Sequence, residues 1–447
     1  MKNIYVLFFF LICGFASGQI VNIPDANFKN ALLTTYCADF NNDGLPDGDA
    51  DTNNDGEIQV SEAQAVYQLT LNYQGISSLE GIQSFSNLEW LSCNNNNLST
   101  LNLSQNTKLE FVDCDQNDIQ QLNFSGNLFL KTLRCSFNQL TNLNVSQNVN
   151  LETLASVSNQ LESLNVNNNV MLNQLTLNNN NLTEINLQNN PLLRVFRSIQ
   201  NPIAELDFSG NPALEVVYCM NNSLISLSFN QNPLLKILNC AGNNIVSLDL
   251  SQNPNLQSLD CSLNDIFELD LTGNPALEIL ACNGNGINEL DLTANTSLSA
   301  LFCFSNSLKT LNLKNGNNYN LNQMQAYNNQ LNCIQVDDEN YAYNQICDQQ
   351  NYNGWCKDET AIYSEDCQLT TKDFTTTDFK LFPNPAQNVL NIQSQEQIDS
   401  VRIFTLEGRL LLQTANPSID ISQLKVGLYL VQIMAQGHTA TKIFLKN

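Results

Sequence analysis

Apolar and polar positions along the chain follow a pattern of 21 residues that is repeated from Leu88 to Asn318. The copy that begins at Leu88 has the sequence LEWLSCNNNNLSTLNLSQNTK, and the copy that begins at Leu256 has the sequence LQSLDCSLNDIFELDLTGNPA. A fixed period of about 20 to 30 residues is typical of solenoids, in which each turn buries its apolar face against the next turn. The pattern therefore predicts a long solenoid of stacked turns.

Each copy contains the segment LxxLxC, in which apolar residues alternate as they do in a β-strand with one buried face. Leu91 and Cys93 are expected to point inward, while Trp90 and Ser92 point outward. We expect the strands to form one parallel sheet with successive turns about 4.8 Å apart. A second short strand is expected at Leu101 and Leu103, on the opposite side of the turn.

One cysteine recurs at an inward position of most copies, and we call these residues the ladder cysteines. They are Cys93, Cys114, Cys135, Cys219, Cys240, Cys261, Cys282 and Cys303. Side chains stacked in register rarely reach the dihedral angle that a disulfide needs, and a line of single sulfurs does not form the tetrahedron that zinc prefers. The ladder cysteines are therefore predicted to be small buried hydrophobic residues.

Asparagine recurs three residues after the cysteine position. This column includes Asn96, Asn117, Asn138, Asn159, Asn180, Asn201 and Asn306. The consensus LxxLxCxxNxLxxLxLSxNPx resembles the leucine-rich repeat family, and specifically its short bacterial subclass with 21-residue repeats, over about 270 residues. The resemblance implies that the asparagine column points inward and bonds the backbone of neighbouring loops. An atypical turn from Val66 precedes the regular copies, and a last turn from Met324 to Val336 is shifted by two inserted residues.

The first residues have the composition of a secretory signal peptide, with a basic start, an apolar core from Ile4 to Ile12 and small residues at Ala16 and Gly18. A lipoprotein anchor at Cys13 is the alternative, although Ile12 stands where that motif needs a small residue. The rest of the chain lacks the ~20 consecutive apolar residues that a membrane-spanning helix needs. We therefore expect an exported protein that is not an integral membrane protein.

A helix is predicted near the start of the exported chain. Residues 23–33 have helical spacing, with Phe28, Ala31 and Leu32 on one face and Asp25 positioned as the cap. Terminal repeats of a solenoid need a cover over their apolar end. This helix is expected to cover the N-terminal end.

Residues 51–62 match the twelve-position EF-hand calcium loop. Calcium binds six to eight oxygens, which alternate side chains, one backbone carbonyl and a final bidentate glutamate supply, while Gly56 permits the sharp turn. The predicted ligands are Asp51, Asn53, Asp55, Glu57 through its backbone carbonyl, and Glu62. The alternative interpretation, a solvated turn, does not account for the glutamate at the twelfth position.

An upstream segment matches the calcium loop less completely, with Asp39, Asn41 and Asp43 but with Ala50 at the twelfth position. The sequence does not decide whether this loop also binds calcium. We expect a bound Ca²⁺ to brace the N-terminal cap, since the loops lie between the predicted helix and the solenoid.

The segment after the repeats, residues 337–367, resembles the cysteine-bearing C-terminal caps of exported leucine-rich-repeat proteins. Cys333, Cys347, Cys356 and Cys367 allow three disulfide connectivities. We favour Cys333–Cys367 with Cys347–Cys356, because this nested pairing clips a short loop inside a longer one. Cys37 is left over, either buried or paired near the N-terminal end.

The last segment consists of alternating strands separated by turn residues, which predicts a small β-sandwich. It resembles the type A C-terminal sorting domain of substrates of the type IX secretion system over residues 379–447. The matching features are Pro383-Asn384-Pro385, Gly408, Leu424, Gly427-Leu428-Tyr429 and the closing Lys442-Ile443-Phe444-Leu445-Lys446. The resemblance implies passage through the outer membrane, removal of the tail, and either attachment to the cell surface or release. The alternative is an ordinary adhesive sandwich domain.

The predicted fold class is mainly β, a leucine-rich-repeat solenoid with a parallel sheet on its concave face, a helical N-terminal cap with a calcium loop, and a C-terminal β-sandwich. The predicted boundaries are 1–18 for the signal peptide, 19–65 for the N-terminal cap, 66–336 for the solenoid, 337–367 for the C-terminal cap, 368–378 for a Thr-rich linker and 379–447 for the sorting domain.

Composition narrows the function further. The net charge of -25 makes nucleic acid and anionic membrane surfaces poor partners, since both are polyanions. The chain has a single histidine, His438, and histidine is the commonest general base. Its absence from the rest of the chain removes most hydrolytic triads, so we predict a protein without catalytic activity.

Aromatic and arginine side chains at outward strand positions are the candidate contacts for a ligand, because such residues commonly anchor interfaces. They are Trp90, Phe111, Arg134, Arg197, Tyr218, Phe302, Phe304 and Tyr327. We expect aromatic clusters near both ends of the sheet, on an exported or surface-attached protein that binds a protein or a glycan. The alternatives are a structural spacer without a ligand, in which the end clusters merely cover the edges of the solenoid, and a hydrolase.

Overall fold

The LxxLxC segment of each regular turn forms one β-strand. In this strand leucine and cysteine point into the core, and the residues between them point outward. We describe the fold from a computed structural model, and the residues described are 18–348, 353–367, 379–394, 397–406, 409–435 and 438–447. The predicted signal segment before residue 18, the predicted linker 368–378 and Gly408 lie outside these residues. Leu91 and Cys93 are fully buried, as predicted.

In the described part of the chain, sixteen strands form one sheet, which we call the long sheet. In spatial order they are Ala38–Asp39, Gln68–Thr70, Trp90–Ser92, Phe111–Asp113, Thr132–Arg134, Thr153–Ala155, Gln174–Thr176, Val195–Arg197, Val216–Tyr218, Ile237–Asn239, Ser258–Asp260, Ile279–Ala281, Ala300–Phe302, Gln323–Ala326, Asn353–Lys357 and Cys347–Asp348. The first and last pairs are antiparallel, and the pairs between them are parallel. In the regular copies, each strand residue pairs with the residue 21 positions later in the next strand, as Trp90 does with Phe111.

The opposite side of the solenoid has fewer strands than predicted. One pair consists of Leu227–Ser228 and Leu248–Asp249, and a second sheet consists of Glu289–Asp291, Thr310–Asn312, Cys333–Gln335 and Ile362–Ser364. The strand predicted at Leu101 and Leu103 is wrong, although both side chains are buried. The Leu103 carbonyl accepts hydrogen bonds from the Asn106 N–H and from Asn127 Nδ2, so it is satisfied without a neighbouring strand.

The asparagine column joins successive turns, as predicted. Asn180 Nδ2 donates to the carbonyl oxygens of Ser156 at 2.7 Å and Leu177 at 3.0 Å, and its Oδ1 accepts from the Leu161 N–H at 3.0 Å. A second asparagine column lies at the turn that leads back to the long sheet. There Asn190 Nδ2 donates to the Val166 carbonyl at 3.1 Å. The Nδ2 groups and carbonyl oxygens that form these hydrogen bonds avoid the penalty of burial without a partner.

The N-terminal cap contains the helices Ala26–Thr34 and Val60–Ala65, and a 3₁₀ turn at Ile82–Ser84 follows in the first turn of the solenoid. Phe28, Ala31 and Leu32 are buried, and Asp25 caps the first helix, as predicted. Cys37 is a free, buried thiol. The cap therefore continues the apolar core of the solenoid.

The C-terminal cap adds one further turn to the predicted solenoid. A 3₁₀ turn at Asn318–Asn320 and the helix Glu339–Tyr343 precede it. Asn353–Lys357 pairs in parallel with Gln323–Ala326, and Trp355 fills the core position that leucine fills in the regular copies. Two disulfides join Cys333 to Cys367 and Cys347 to Cys356, with Cα–Cα distances of 5.9 and 4.9 Å. This connectivity is the nested pairing.

Residues 368–447 form a second unit, which is separate from residues 1–367. One antiparallel sheet contains Phe379–Phe382, Val389–Ser394 and Ser418–Asp420, and the other contains Leu410–Thr414, Ile398–Thr405, Gly427–Ala435 and His438–Lys446. Alternating residues of both sheets, including Leu390, Val431 and Phe444, share one buried core. This is the predicted small β-sandwich.

Candidate binding surface

Outward positions of the long sheet bring three of the predicted contact residues together near its N-terminal end. We call Trp90, Phe111 and Arg134 the N-terminal cluster. The rings of Trp90 and Phe111 stack with 3.3 Å between centroids and 3° between planes, because the two residues are in register on neighbouring strands. Arg134 Cζ lies 5.8 Å from the ring centroid of Phe111, within the range of a cation–π contact.

Two carboxylates that we did not predict as site residues accompany this cluster. Asp113 Oδ2 accepts from Asn94 Nδ2 at 2.8 Å, and Asp115 accepts a hydrogen bond from the backbone N–H of Ser136. Burial raises the pKa of Asp115 to about 6, and the charge of Asp113 adds to the rise, whereas the Ser136 N–H lowers it. The sequence signal for both was their alternation with Phe111, with Asp113 at the end of the strand and Asp115 two residues beyond it.

A second group, which we call the C-terminal cluster, consists of Phe302, Phe304 and Tyr327. The rings of Phe304 and Tyr327 stack with 5.0 Å between centroids and 6° between planes. Phe302 is half-buried and pairs in register with Gln325 of the next strand. The cluster thus combines two stacked rings with a third aromatic residue two positions before Phe304.

The remaining predicted residues, Arg197 and Tyr218, form a third group between the two clusters, which we call the central pair. Arg197 Cζ lies 5.4 Å from the ring centroid of Tyr218, and the two residues are in register on neighbouring strands. The eight predicted residues therefore fall into three separate groups along the long sheet.

The ladder cysteines behind these groups are fully buried, as predicted. Burial raises the pKa of the Cys219 thiol to about 12 and raises the pKa of its neighbours along the ladder as well. Because the thiolate is the reactive form of cysteine, the ladder thiols are unreactive at neutral pH. Their role is packing between the turns.

The predicted calcium loop has the backbone conformation that its sequence demands. Asp51 accepts from the backbone N–H groups of Asp55 at 3.1 Å and Gly56 at 2.8 Å, and Gly56 has a φ of 82°. Asn53 Oδ1 also accepts from the Asp55 N–H at 2.8 Å. These bonds hold the loop in a tight turn around its side-chain oxygens.

Glu62 is the last residue of the loop and lies in the first turn of the following helix. Its Oε1 accepts from Thr52 Oγ1 at 2.8 Å and from the Asn53 N–H at 3.2 Å, and its Oε2 accepts from the Gln59 N–H at 3.0 Å. The Glu57 side chain pairs with Lys29 of the first helix, with 2.6 Å between Nζ and Oε2. Among the described residues, no group of three or more His, Cys, Asp or Glu side chains is arranged as a metal site.

The upstream loop repeats the same local conformation. Asp39 accepts from the backbone N–H groups of Asn41, Asn42 and Gly44 at 2.6 to 2.9 Å. Asp47 Oδ2 accepts from the Phe40 N–H at 2.8 Å. Two consecutive loops of one design therefore lie between the first helix and the solenoid.

Comparisons with known proteins agree with this architecture. A family model for a secretion system C-terminal sorting domain matches residues 380–447, which confirms the predicted sorting domain and the export of the chain to the outer cell surface or beyond it. Among the described residues, no helix is long and apolar enough to cross a bilayer. None of the curated proteins matches the chain.

Solved structures with similar folds come from bacterial internalins. The functional domain of InlJ from Listeria monocytogenes, which includes a cysteine ladder, has a TM-score of 0.60 and 22% identity over 96% of this chain and 98% of that chain. The internalin InlF from the same species has a TM-score of 0.59 and 19% identity over 70% of this chain and 93% of that chain. The solenoid has the leucine-rich-repeat fold with short repeats, as predicted.

Proposed function

We propose that this exported protein binds a protein ligand on the outward face of its long sheet and performs no catalysis. The observation that carries the proposal is the stacking of Trp90 on Phe111 at the surface of a polar sheet, with Arg134 beside them. Aromatic rings and arginine supply most of the energy of protein interfaces when a partner excludes water from them. The central pair and the C-terminal cluster extend this contact surface along the sheet.

The stacking geometry favours a protein over a glycan. A sugar packs its flat side against the face of a ring, but in the stack of Trp90 on Phe111 each ring covers one face of the other. The outer faces and the edges of the two rings remain, and the edges carry partial positive charge that attracts carbonyl and carboxylate oxygens. Backbone carbonyls and acidic side chains of a polypeptide meet this requirement, and Arg134 adds a donor for the same groups.

The test is binding by the chain without its predicted signal peptide, residues 19–447, to a panel of extracellular proteins and a glycan panel. We expect Trp90→Ala and Phe304→Ala each to weaken binding to a protein ligand about tenfold or more, as truncated anchor residues do. Phe267→Ala is the matched control, because Phe267 is 43% exposed, close to the 39% of Trp90, and lies outside the long sheet.

Four outcomes would replace this proposal. Capture of glycans only would assign the surface to carbohydrate, and unchanged binding in both variants would move the contact away from the aromatic clusters. The absence of any ligand would favour a structural spacer. Turnover in a hydrolysis screen on peptides and polysaccharides would indicate an enzyme, for which the single histidine gives little support.

We also propose that residues 51–62 bind Ca²⁺ and thereby brace the N-terminal cap. The carboxylates of Asp51 and Glu62 are both buried at the two ends of the loop, and Asp55 lies between them. Calcium accepts this set of carboxylate, amide and carbonyl oxygens in a flexible geometry. Glu62 also lies in the first turn of the helix Val60–Ala65, so a bound ion would join the loop to that helix.

A further inference from the structure

A band of exposed apolar side chains runs along one flank of the solenoid, and we call it the apolar rim. It consists of Leu128, Phe129, Val149, Val170, Met171 and Leu192, all of which are exposed. These residues lie at equivalent places in four consecutive turns, just before the strands of the long sheet. Contiguous apolar surface on a protein that is otherwise polar marks an interaction site more often than isolated apolar residues do.

A row of charged residues, which we call the charged row, follows the apolar rim two positions later in each turn. It consists of Glu110, Lys131, Glu152, Arg194, Glu215 and Lys236, with Asn173 in the middle, and the same column continues to Glu89 before Glu110 and to Gln257 after Lys236. Lys131 Nζ lies 2.6 Å from Glu110 Oε2, and Glu215 pairs with Arg194 at 2.8 Å and with Lys236 at 2.9 Å. These ion pairs join neighbouring turns in two groups, one at each end of the row, with Glu152 and Asn173 between them.

The order of signs in the charged row is its own complement when the row is reversed. From Glu110 to Lys236 the signs are negative, positive, negative, neutral, positive, negative and positive. A second copy laid antiparallel about Asn173 would set each charge opposite one of opposite sign. Glu110 would face Lys236 of the other copy, Lys131 would face Glu215, and Glu152 would face Arg194. A parallel copy in register would set each charge opposite its own sign.

Three of the four turns of the apolar rim obey the same symmetry, whereas Leu128 and Phe129 would face the turn of Pro212 and Ala213. Val170 and Met171 lie next to Asn173, about which the two copies are related. Each would therefore lie near the same residue of the other copy, close to the two-fold axis. Val149, one turn before, would face Leu192 of the other copy, one turn after. An isologous dimer needs this arrangement, in which one patch is complementary to itself.

We propose that the apolar rim and the charged row form a two-fold interface between two antiparallel copies of this chain. The charged row covers seven turns, or about 29 Å at ~4.8 Å per turn. This length places the contact at the small end of specific interfaces, so the dimer dissociates on dilution. The exposed ion pairs within each copy contribute little to its own stability, and they acquire a second partner across the interface.

Sedimentation velocity of residues 19–447 over a range of micromolar concentrations tests the dimer. We expect a shift from monomer to dimer with increasing concentration, and a loss of the dimer in Met171→Asp, which sets two carboxylates together near the axis. Ile225→Asp is the matched control, because Ile225 is 41% exposed and Met171 is 42% exposed, but Ile225 lies outside the apolar rim. A monomer at all concentrations, or equal behaviour of the two variants, overturns the proposal.

Charge reversal tests the antiparallel register independently of the apolar contact. Lys131→Glu sets two negative charges opposite each other at two symmetry-related places, and we expect it to weaken the dimer at least tenfold. Reversing all six charges together restores a self-complementary row and also preserves the ion pairs within each copy, so this variant is expected to dimerise with itself. Mixed with the wild type, it is expected to form no heterodimer, and a heterodimer would contradict the register.

Discussion

Asp25 Oδ2 accepts a hydrogen bond from the backbone N–H of Ser77 at 2.8 Å, and this contact joins the N-terminal helix to the first turn of the solenoid. The same oxygen accepts from the Ser78 N–H at 2.9 Å, while Oδ1 accepts from the N–H groups of Asn27 and Phe28. One carboxylate therefore caps a helix and holds that helix over the end of the apolar core.

Replacing this carboxylate should loosen the N-terminal cap. We expect Asp25→Ala to lower the free energy of unfolding by about 1 to 3 kcal/mol, because it removes a helix cap and leaves two loop N–H groups without a partner. Thermal melting followed by circular dichroism measures the change. Asp265→Ala is the control, since it makes the same substitution at an exposed position of the solenoid, and an equal loss in both variants would contradict the role of Asp25.

The contribution of Asp25 should also depend on pH. Burial raises its pKa, but the four backbone N–H groups outweigh burial and lower the pKa of Asp25 below its usual value. A carboxylate whose pKa is lower in the folded state than in the unfolded state stabilises the folded protein at a pH above the unfolded-state pKa of about 3.9. This stabilisation is lost as the pH falls through the folded-state pKa. The melting temperatures of the wild type and Asp25→Ala should therefore converge below pH ~4.

Asn180 gives a test of the first asparagine column. Asn180→Ala removes three hydrogen bonds to carbonyl oxygens and one from the Leu161 N–H, and of these the bonds with Ser156 and Leu161 join successive turns. We expect a loss of about 1 to 3 kcal/mol in the free energy of unfolding, because the buried backbone groups are left unpaired. Urea unfolding measures it, with the exposed neighbour Asn181 replaced by alanine as the control. Equal stabilities of the two variants would contradict the bonding role of the column.

Much of the solenoid could be predicted from the sequence because a strict period fixes which residues meet. Leucine, cysteine and asparagine that recur every 21 residues must stack on their own copies, so the pairing of Trp90 with Phe111 follows from counting. The additional turn at Asn353–Lys357 could not be predicted in this way, since Trp355 stands there without the leucine, cysteine and asparagine spacing.

Details that depend on one local partner also escaped prediction. The strands on the opposite side of the solenoid form in some turns only, although Leu101 and Leu248 occupy equivalent positions in the pattern. The pKa of Asp115 depends on its burial and on the hydrogen bond from the Ser136 N–H of the following turn. The 21-residue period makes Asp115 and Ser136 neighbours, but it encodes neither the burial nor the hydrogen bond. The aromatic residues of the candidate site were predicted because an exposed ring in a polar repeat is conspicuous, whereas an aspartate is not.

Asp115 should make the stability of the folded chain depend on pH in the opposite sense to Asp25. Its pKa is raised to about 6, mainly by burial, so the folded state holds this proton more tightly than the unfolded state does. Stability therefore falls as the pH rises from the unfolded value near 4 through the folded value. At a pH above the folded-state pKa of about 6, we expect Asp115→Asn to be more stable than the wild type. This advantage should disappear as the pH falls to about 4, the pKa of the unfolded state. A constant difference in melting temperature across this range would contradict the assignment.

Calcium can be tested apart from the hydrogen bonds that already hold the loop together. Glu62 occupies the third position of a capping box, where glutamine also serves, so Glu62→Gln retains the cap of the helix Val60–Ala65. The same substitution removes the charged bidentate ligand that the twelfth position of a calcium loop requires. The amide nitrogen of glutamine cannot accept the hydrogen bonds that Glu62 Oε1 takes from Thr52 Oγ1 and the Asn53 N–H, so we expect the calcium-free variant to melt somewhat below the calcium-free wild type.

Added calcium should then separate the two proteins. A ligand that binds only the folded state stabilises it by about 2.7 kcal/mol at a concentration one hundred times its dissociation constant, so the melting temperature of the wild type should rise with Ca²⁺ and fall in chelator. Glu62→Gln should show little of this rise, and calorimetry should detect heat of binding in the wild type only. An equal response of the two proteins would place the ion elsewhere, for example in the upstream loop of Asp39, and no response in either would leave the loops held by their hydrogen bonds alone.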